Sequence, residues 1–254
     1  MVLSTVRRRD EMTRMSSLGA VLNVAMLAER FEVSTSTIRR DLAHLEAEGH
    51  VTRTYGGAVS SGSHAESNLQ QRLGEKHEAK IAIGAWAAEQ IESGESVMLE
   101  AGSTVAAVAH HLRRRSGLTV NTTSLAVIAE LSRNDQIVIN VLGGTLRPVS
   151  QSVVGAITLA AVEGMTFDRL FLGADSVDAE FGICEADAQQ TSLKQLLARR
   201  ARAVYVLAHA EKIGRRPFHA WAQLPLPWTL VTNAADNAVK PFIDRGVNVV
   251  RVGR

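Results

Sequence analysis

The residues best suited to chemistry fall in two kinds of run. The first is Ser34-Thr35-Ser36-Thr37-Ile38-Arg39-Arg40, hydroxyls followed by two guanidiniums around one apolar side chain. Arginine forks match guanine edges and phosphates, and hydroxyls and helix-start amides take phosphate oxygens, so this run suits contact with DNA. The second kind is three short polar loops. Glu100-Ala101-Gly102-Ser103-Thr104 combines a glycine that lets the backbone approach a ligand with hydroxyls and helix-start amides that can hold an anion, especially phosphate. Thr122-Thr123-Ser124 is again rich in hydroxyls, and Gly143-Gly144-Thr145-Leu146-Arg147 exposes backbone amides beside a cation.

The first run is expected to open a helix. Ser34 is a good N-cap, and Val33 with Ile38 has the spacing of a hydrophobic staple. Ile38, Leu42 and Leu45 make one apolar stripe, and Gly49 is a plausible stop. Composition alone fits an ordinary capped surface helix as well, so the flanks decide. Upstream, Val24, Leu27, Ala28 and Phe31 make a second short amphipathic helix, joined by only Glu32 and Val33. Downstream, HVTRTYGGAV reads as a β-rich wing with a Gly56-Gly57 turn and with Arg53 and Tyr55 facing a phosphate backbone. An earlier helix, Val6 to Leu18, packs Met12, Met15 and Leu18 on the reading helix, and its Arg7-Arg8-Arg9 run is either a phosphate contact or a solvated basic tail.

Residues 60–74 are polar and small at their start and form the expected linker between a winged helix-turn-helix at 1–59 and a second domain at 75–254. In that second domain helical and extended patterns alternate. Helices are expected at Lys76–Ile91, Thr104–Arg114, Ser124–Arg133, Val153–Glu163, Ala188–Arg202 and Asn237–Arg245. Strands are expected at Ser96–Leu99, Leu118–Thr122, Gln136–Leu142, Arg169–Leu172, Ala203–Leu207, Trp228–Val231 and Val247–Val252. This alternation implies an α/β fold with a doubly wound, mainly parallel sheet, whose ligands sit at the carboxyl ends of the strands, where the three polar loops fall.

The 254 residues carry a formal net charge of +2 and 46% hydrophobic residues, so bulk charge does not announce a nucleic-acid partner and the DNA reading rests on the motif. Cys184 is the single cysteine, which excludes an internal disulfide. There is no metal-ligand cluster, no cofactor is called for, and no signal peptide or membrane span is legible, so a cytosolic protein without a membrane partner is expected.

The run LAERFEVSTSTIRRDLAHLEAEGHVTRTYGGAV resembles the N-terminal signature of the DeoR family of bacterial transcriptional regulators, with its TIRRDL recognition helix and GGA wing. The stretches AGSTVAAVAHHL, GGTLR, GADSV and AEKIG resemble the same family's effector domain, which is related to ribose 5-phosphate isomerase and binds phosphorylated sugars or their derivatives. The resemblance implies a homo-oligomeric regulator, a dimer or larger, that binds operator DNA and releases it on binding such an effector. It implies that Ser103 and Thr104 hold the phosphate, with Thr123, Ser124, Gly143 and Gly144 in the neighbouring loops. It further implies that Lys212 supplies charge and that Glu100, Asp175 and Arg147 contact the sugar or line the pocket; a solvated loop lysine is the alternative for Lys212.

Several positions depart from the family pattern. Glu32 stands where the turn often has glycine and is expected to take a different backbone angle. The first loop reads E-A-G-S-T in place of D-x-G-T-T, Thr123 replaces an asparagine, His209-Ala210 replaces an aspartate and serine, and Asn233 replaces an aspartate. An isomerase of the related class is the alternative function. Asp175 and Asp178 offer paired carboxylates for it, but Leu193 occupies the place of its helix glutamate, Lys194 reads as a solvated helix lysine, and His209 and His219 read as core or surface histidines.

Overall fold

A computed structural model describes residues 4–17, 22–48, 51–54, 57–60 and 66–253. The chain divides into two compact units, Met1–Glu66 and Ser67–Arg254.

The first unit runs α1 (Thr5–Ser17), β1 (Leu22–Asn23), α2 (Val24–Arg30), α3 (Thr35–Ala47), β2 (Val51–Thr54) and β3 (Gly57–Ser60). Asn23 starts α2 by accepting from the amides of Ala25 at 2.9 Å and Met26 at 3.1 Å. Ser34 starts α3 by accepting from the Thr37 amide at 3.2 Å. The strands pair antiparallel in the order β1-β3-β2, with Thr54 opposite Gly57. Met12, Leu22, Leu27, Phe31, Ile38, Leu42, Leu45 and Val51 fill the core between helices and sheet. Gly49, Tyr55 and Gly56 lie outside the described residues.

Two expectations are corrected here. Arg8 and Arg9 are not a solvated tail: Arg8 Nε lies 2.7 Å from Asp41 Oδ2 and Arg9 Nε 2.9 Å from Asp41 Oδ1, with Asp41 only 2% exposed. Asp41 is buried in α3, and an unpaired carboxylate there would be costly, so α1 supplies the cations. Glu32 does not avoid the glycine-like angle. It sits at φ 54°, because the Phe31 and Val33 amides must both return to carbonyls of α2, at 3.0 Å each, as the chain leaves that helix.

The second unit begins with α4 (Leu69–Gly74), inside the expected linker. Asn68 and Gln71 form a reciprocal capping box, and Leu69 is buried. Then follow α5 (His77–Glu89), β4 (Ser96–Leu99), α6 (Ser103–Leu112), β5 (Leu118–Thr122), α7 (Leu125–Leu131), β6 (Ile137–Val141), β7 (Thr145–Arg147) and β8 (Ser152–Val154). The chain continues with α8 (Ala156–Glu163), β9 (Phe167–Leu172), β10 (Ser176–Asp178), β11 (Gly182–Glu185), α9 (Ala188–Arg200), β12 (Ala201–Leu207), β13 (Ala220–Ala222), β14 (Thr229–Thr232), α10 (Asp236–Ile243) and β15 (Asn248–Arg251).

A seven-stranded sheet has the order β15-β14-β12-β9-β4-β5-β6, and all its pairs are parallel. Side chains alternate between its faces. Met98, Leu170 and Leu172 pack with Val162, Leu193, Leu197 and Phe242 on one side, and Val97, Leu99 and Phe171 pack with Ile83, Val105, Val108 and Val127 on the other. Helices therefore cover both faces. The order turns back between β4 and β9, which leaves a crevice where the loops after these two strands diverge.

Small antiparallel pieces escaped the sequence pattern: β7 with β8, and β10-β11-β13. Residues Ser152–Val154 are a strand and not the first turn of a helix, because they pair with β7 and Gly155, at φ 105°, breaks the backbone before α8.

The left-handed angle at Glu32 generates a prediction. Glutamate there costs about 1–2 kcal/mol and glycine relieves it, less the extra entropy glycine loses on folding. Glu32→Gly should stabilise the first unit by about 0.5–1 kcal/mol, read as a higher unfolding midpoint, whereas Glu32→Val should lower it.

Candidate functional site

In the first unit the opening of α3 presents its polar groups outward. Ser34, Thr35, Ser36, Arg39 and Arg40 are exposed and Thr37 is half-buried, while Ile38, Leu42 and Leu45 point into the core. The Ser34 hydroxyl lies 2.7 Å from that of Ser36 and 2.9 Å from that of Thr37, a short chain of hydroxyls across the first turn. Arg40 Nε reaches back to the Ser36 carbonyl at 3.4 Å. Gly57 starts β3, and Arg53 lies on β2, opposite Ala58.

In the second unit a small, partly open pocket lies at the crevice between β4 and β9, and its walls include Gly102, Ser103, Thr104, Arg72, Ser150 and Gly173. The backbone makes this crevice possible. A Cβ on Gly173 would stand 2.5 Å from the Ala101 carbonyl oxygen, so only glycine lets the two loops meet. Gly102 takes φ 129° and places the first residues of α6 at the pocket wall, with no side chain capping their amides. A helix start of this kind favours a negative charge.

Under the floor is a buried ion cluster. Lys194 Nζ, on α9, lies 2.6 Å from Glu100 Oε2 and 3.1 Å from Glu185 Oε1, and donates to the Gly173 carbonyl at 3.0 Å. Lys194 and Glu100 are each 1% exposed and Glu185 is 3% exposed. Burial pulls the lysine pKa down, but Glu100 and Glu185 outweigh it and leave the ammonium held above its usual value. Burial pushes the Glu185 carboxyl up to about 8 against the pull of Lys194, with Asp175 and Glu100 adding to the rise.

A second group of cations gathers around the pocket. Lys212 lines the pocket and donates to the Ala174 carbonyl, Arg72 Nη1 binds Asp175 Oδ1 at 2.9 Å, and Lys80 donates to the Arg72 carbonyl. Burial and then the charge of Lys212 push Lys80 down to about 8, and burial followed by Lys212 and Lys80 holds His209 at about 4, hence neutral near pH 7. Burial also lowers Lys212, although Asp175 opposes the shift.

The expected effector residues divide by position. Gly102, Ser103, Thr104 and Lys212 line the pocket. Glu100 lies beneath it, and Asp175 is held beside it by Arg72 and by the Ala186 amide at 3.3 Å. The second loop stitches strands together: Thr122 Oγ1 donates to the Leu99 carbonyl at 2.7 Å, the Thr123 carbonyl accepts from the Val153 amide at 2.8 Å, and Ser124 caps α7. The third loop packs on α8, where the Gly143 carbonyl accepts from Thr158 Oγ1 at 2.7 Å and a Cβ on Gly144 would collide with the same hydroxyl. Arg147 stands one residue removed from the pocket, donating to Ser150 Oγ at 3.2 Å.

Residues the sequence did not single out also line the pocket: Arg72, Ser150, Glu185, Gln190 and Lys194. For Lys194, read as solvated, this is a correction. It shares the inward stripe of α9 with Gln190 and Leu197, so a charged residue at that spacing was the available signal. Among the described residues no group of side chains is arranged to hold a metal ion, and no helix is long and apolar enough to cross a membrane.

Residues 8–64 match the DeoR-like helix-turn-helix domain, and residues 75–234 match the DeoR C terminal sensor domain. The chain belongs to the DeoR family. Among similar DeoR-family proteins is the lactose phosphotransferase system repressor of Streptococcus mutans, 30% identical over 234 residues, which cover 91% of this chain and 92% of that one. The HTH-type transcriptional regulator GlpR of Haloferax volcanii is 34% identical over 203 residues, 80% of this chain and 79% of that one. The glycerol-3-phosphate regulon repressor of Escherichia coli is 31% identical over 189 residues, 74% and 75% of the two chains. The DeoR-family arrangement of a DNA-binding head and a sensor domain makes this chain a transcriptional regulator.

Removing the lysine from the buried cluster would leave Glu100 and Glu185 buried without a cation. Lys194→Met should therefore cost about 3–5 kcal/mol, measured by denaturant unfolding of the full chain, and Glu185→Gln, which replaces a carboxyl already pushed up to about 8 and keeps the Lys194–Glu100 pair, should cost less.

Proposed function

We propose that this regulator is a repressor of carbohydrate-metabolism genes, released from its operator by a phosphorylated sugar or related metabolite bound in the second unit. The observation that carries the reading is the pocket wall formed by the uncapped start of α6, with its Ser103 and Thr104 hydroxyls, beside Arg72 and Lys212. Lys80 donates to the Arg72 carbonyl, and burial followed by the charge of Lys212 lowers its pKa, so cations lie close together there. A phosphate would supply the opposite charge. The relatives named for lactose phosphotransfer and for glycerol 3-phosphate fit a phosphorylated effector.

Ser34 to Arg40 would enter the major groove, and Arg53, Tyr55, Gly56 and Gly57 would follow the backbone as a wing. A homodimer or larger assembly would place two heads on two half-sites, and the effector would favour an arrangement of heads that no longer matches them. The isomerase alternative is less well supported. Its paired carboxylates are already engaged by guanidiniums, Asp175 by Arg72 and Asp178 by Arg216, each at 2.9 Å, and against the upward push of burial Arg216 holds the Asp178 carboxyl below its usual value.

Two variants test the two ends of the proposal. Arg39→Ala should cost about 1–3 kcal/mol of operator binding with relaxed sequence preference if it reads a base; an equal loss on all DNA with a shallower salt dependence would make it a phosphate contact. Thr104→Asp puts a negative charge at the anion wall. It should abolish the response to effector in a reporter assay while operator affinity stays unaltered, and undiminished induction would remove this loop from the site.

A further inference from the structure

The pocket has a second wall of the opposite kind. Gln190 Oε1 is buried and accepts no hydrogen bond, Glu185 Oε1 is buried with the Lys194 ammonium as its neighbour, and both residues line the pocket. Each is 3% exposed. The Gln190 amide nitrogen donates to Ser152 Oγ at 3.3 Å, which leaves its oxygen as the end without a partner. Glu185 Oε1 lies 3.1 Å from the Lys194 ammonium, whose other two donors go to Glu100 and Gly173, so one further lone pair of this oxygen is left for a ligand.

Buried acceptors left unsatisfied are costly, and a molecule that supplies donors to both would relieve them. A phosphate dianion has only acceptors and cannot do this. An ammonium group is disfavoured, because it would approach Lys194 and Lys212, both of which line the same pocket. Neutral hydroxyls remain.

We infer that Gln190 and Glu185 are specificity-determining residues that accept hydrogen bonds from hydroxyls of a polyol phosphate whose phosphate lies at the start of α6. The inference rests on the anion-site reading proposed above. It assigns the two ends of the ligand to two walls: β11 and α9 read the hydroxyls, and the α6 start with Arg72 and Lys212 reads the charge.

The test is calorimetric titration of the full chain with glycerol 3-phosphate and ribose 5-phosphate, with propyl phosphate and inorganic phosphate as probes lacking the hydroxyls, and with free glycerol and ribose as probes lacking the charge. At least one polyol phosphate should bind about tenfold or more tightly than propyl phosphate. Gln190→Leu and Glu185→Leu should erase most of that advantage while leaving propyl phosphate and inorganic phosphate unchanged, which also shows that each variant is folded. Propyl phosphate binding as tightly as the polyol phosphates, or variants that weaken every probe alike, would overturn the assignment and leave the anion site standing. Free polyols that bind and lose affinity in Gln190→Leu, with no phosphate ester binding, would keep the hydroxyl wall and overturn the anion site. Binding by none of the probes would overturn both.

Discussion

The sensor unit depends on one buried ammonium. Lys194 joins the end of β4 through Glu100, the end of β9 through the Gly173 carbonyl, and β11 through Glu185, and it reaches all three from α9. Taking three charged groups out of water is expensive, and the cost is recovered only if the partners stay in place. That requirement pins the loops after β4 and β9 at the point where the sheet order reverses, which is where a doubly wound sheet opens a crevice. Gly173 and Gly102 then let the two loops approach each other without a side chain between them.

The cluster also sets the charge beside the pocket. Glu185 and Lys194 line it together with Arg72, Lys212 and the first residues of α6, while Glu100 lies beneath. The same logic operates in the first unit at smaller scale, where Asp41 gathers Arg8 and Arg9 inside and leaves Arg39 and Arg40 for the outer surface of α3.

The reading helix and the parallel sheet were legible because their signals are local and periodic: a serine cap, a stripe at Ile38, Leu42 and Leu45, and short apolar strands alternating with helices. Ser103 and Thr104 could be placed because a polar strand-to-helix turn in such a sheet has a known position. What escaped depends on contacts between residues distant in sequence. Arg72 belongs to a short helix whose only local sign was the Asn68–Gln71 box, and its partner Asp175 lies 103 residues away. Glu185 sits on a strand too short to show alternation, and Lys194 was taken at its composition, a lysine on a helix, when its place on the inward stripe beside Leu197 said more. The loop at Gly143-Gly144 shows the converse. Its glycines suit an anion, but they are there because α8 and Thr158 press against that backbone.

The central claim is that occupation of this pocket weakens the hold of the α3 head on its operator. The most direct measurement is the affinity of the full chain for DNA from upstream of its own and neighbouring genes, titrated with a polyol phosphate that calorimetry has shown to bind. The account predicts sequence-selective binding that weakens by tenfold or more as the pocket fills, on the scale of about 1–3 kcal/mol typical of coupling between sites. Operator affinity that stays constant while the compound saturates the pocket would contradict it.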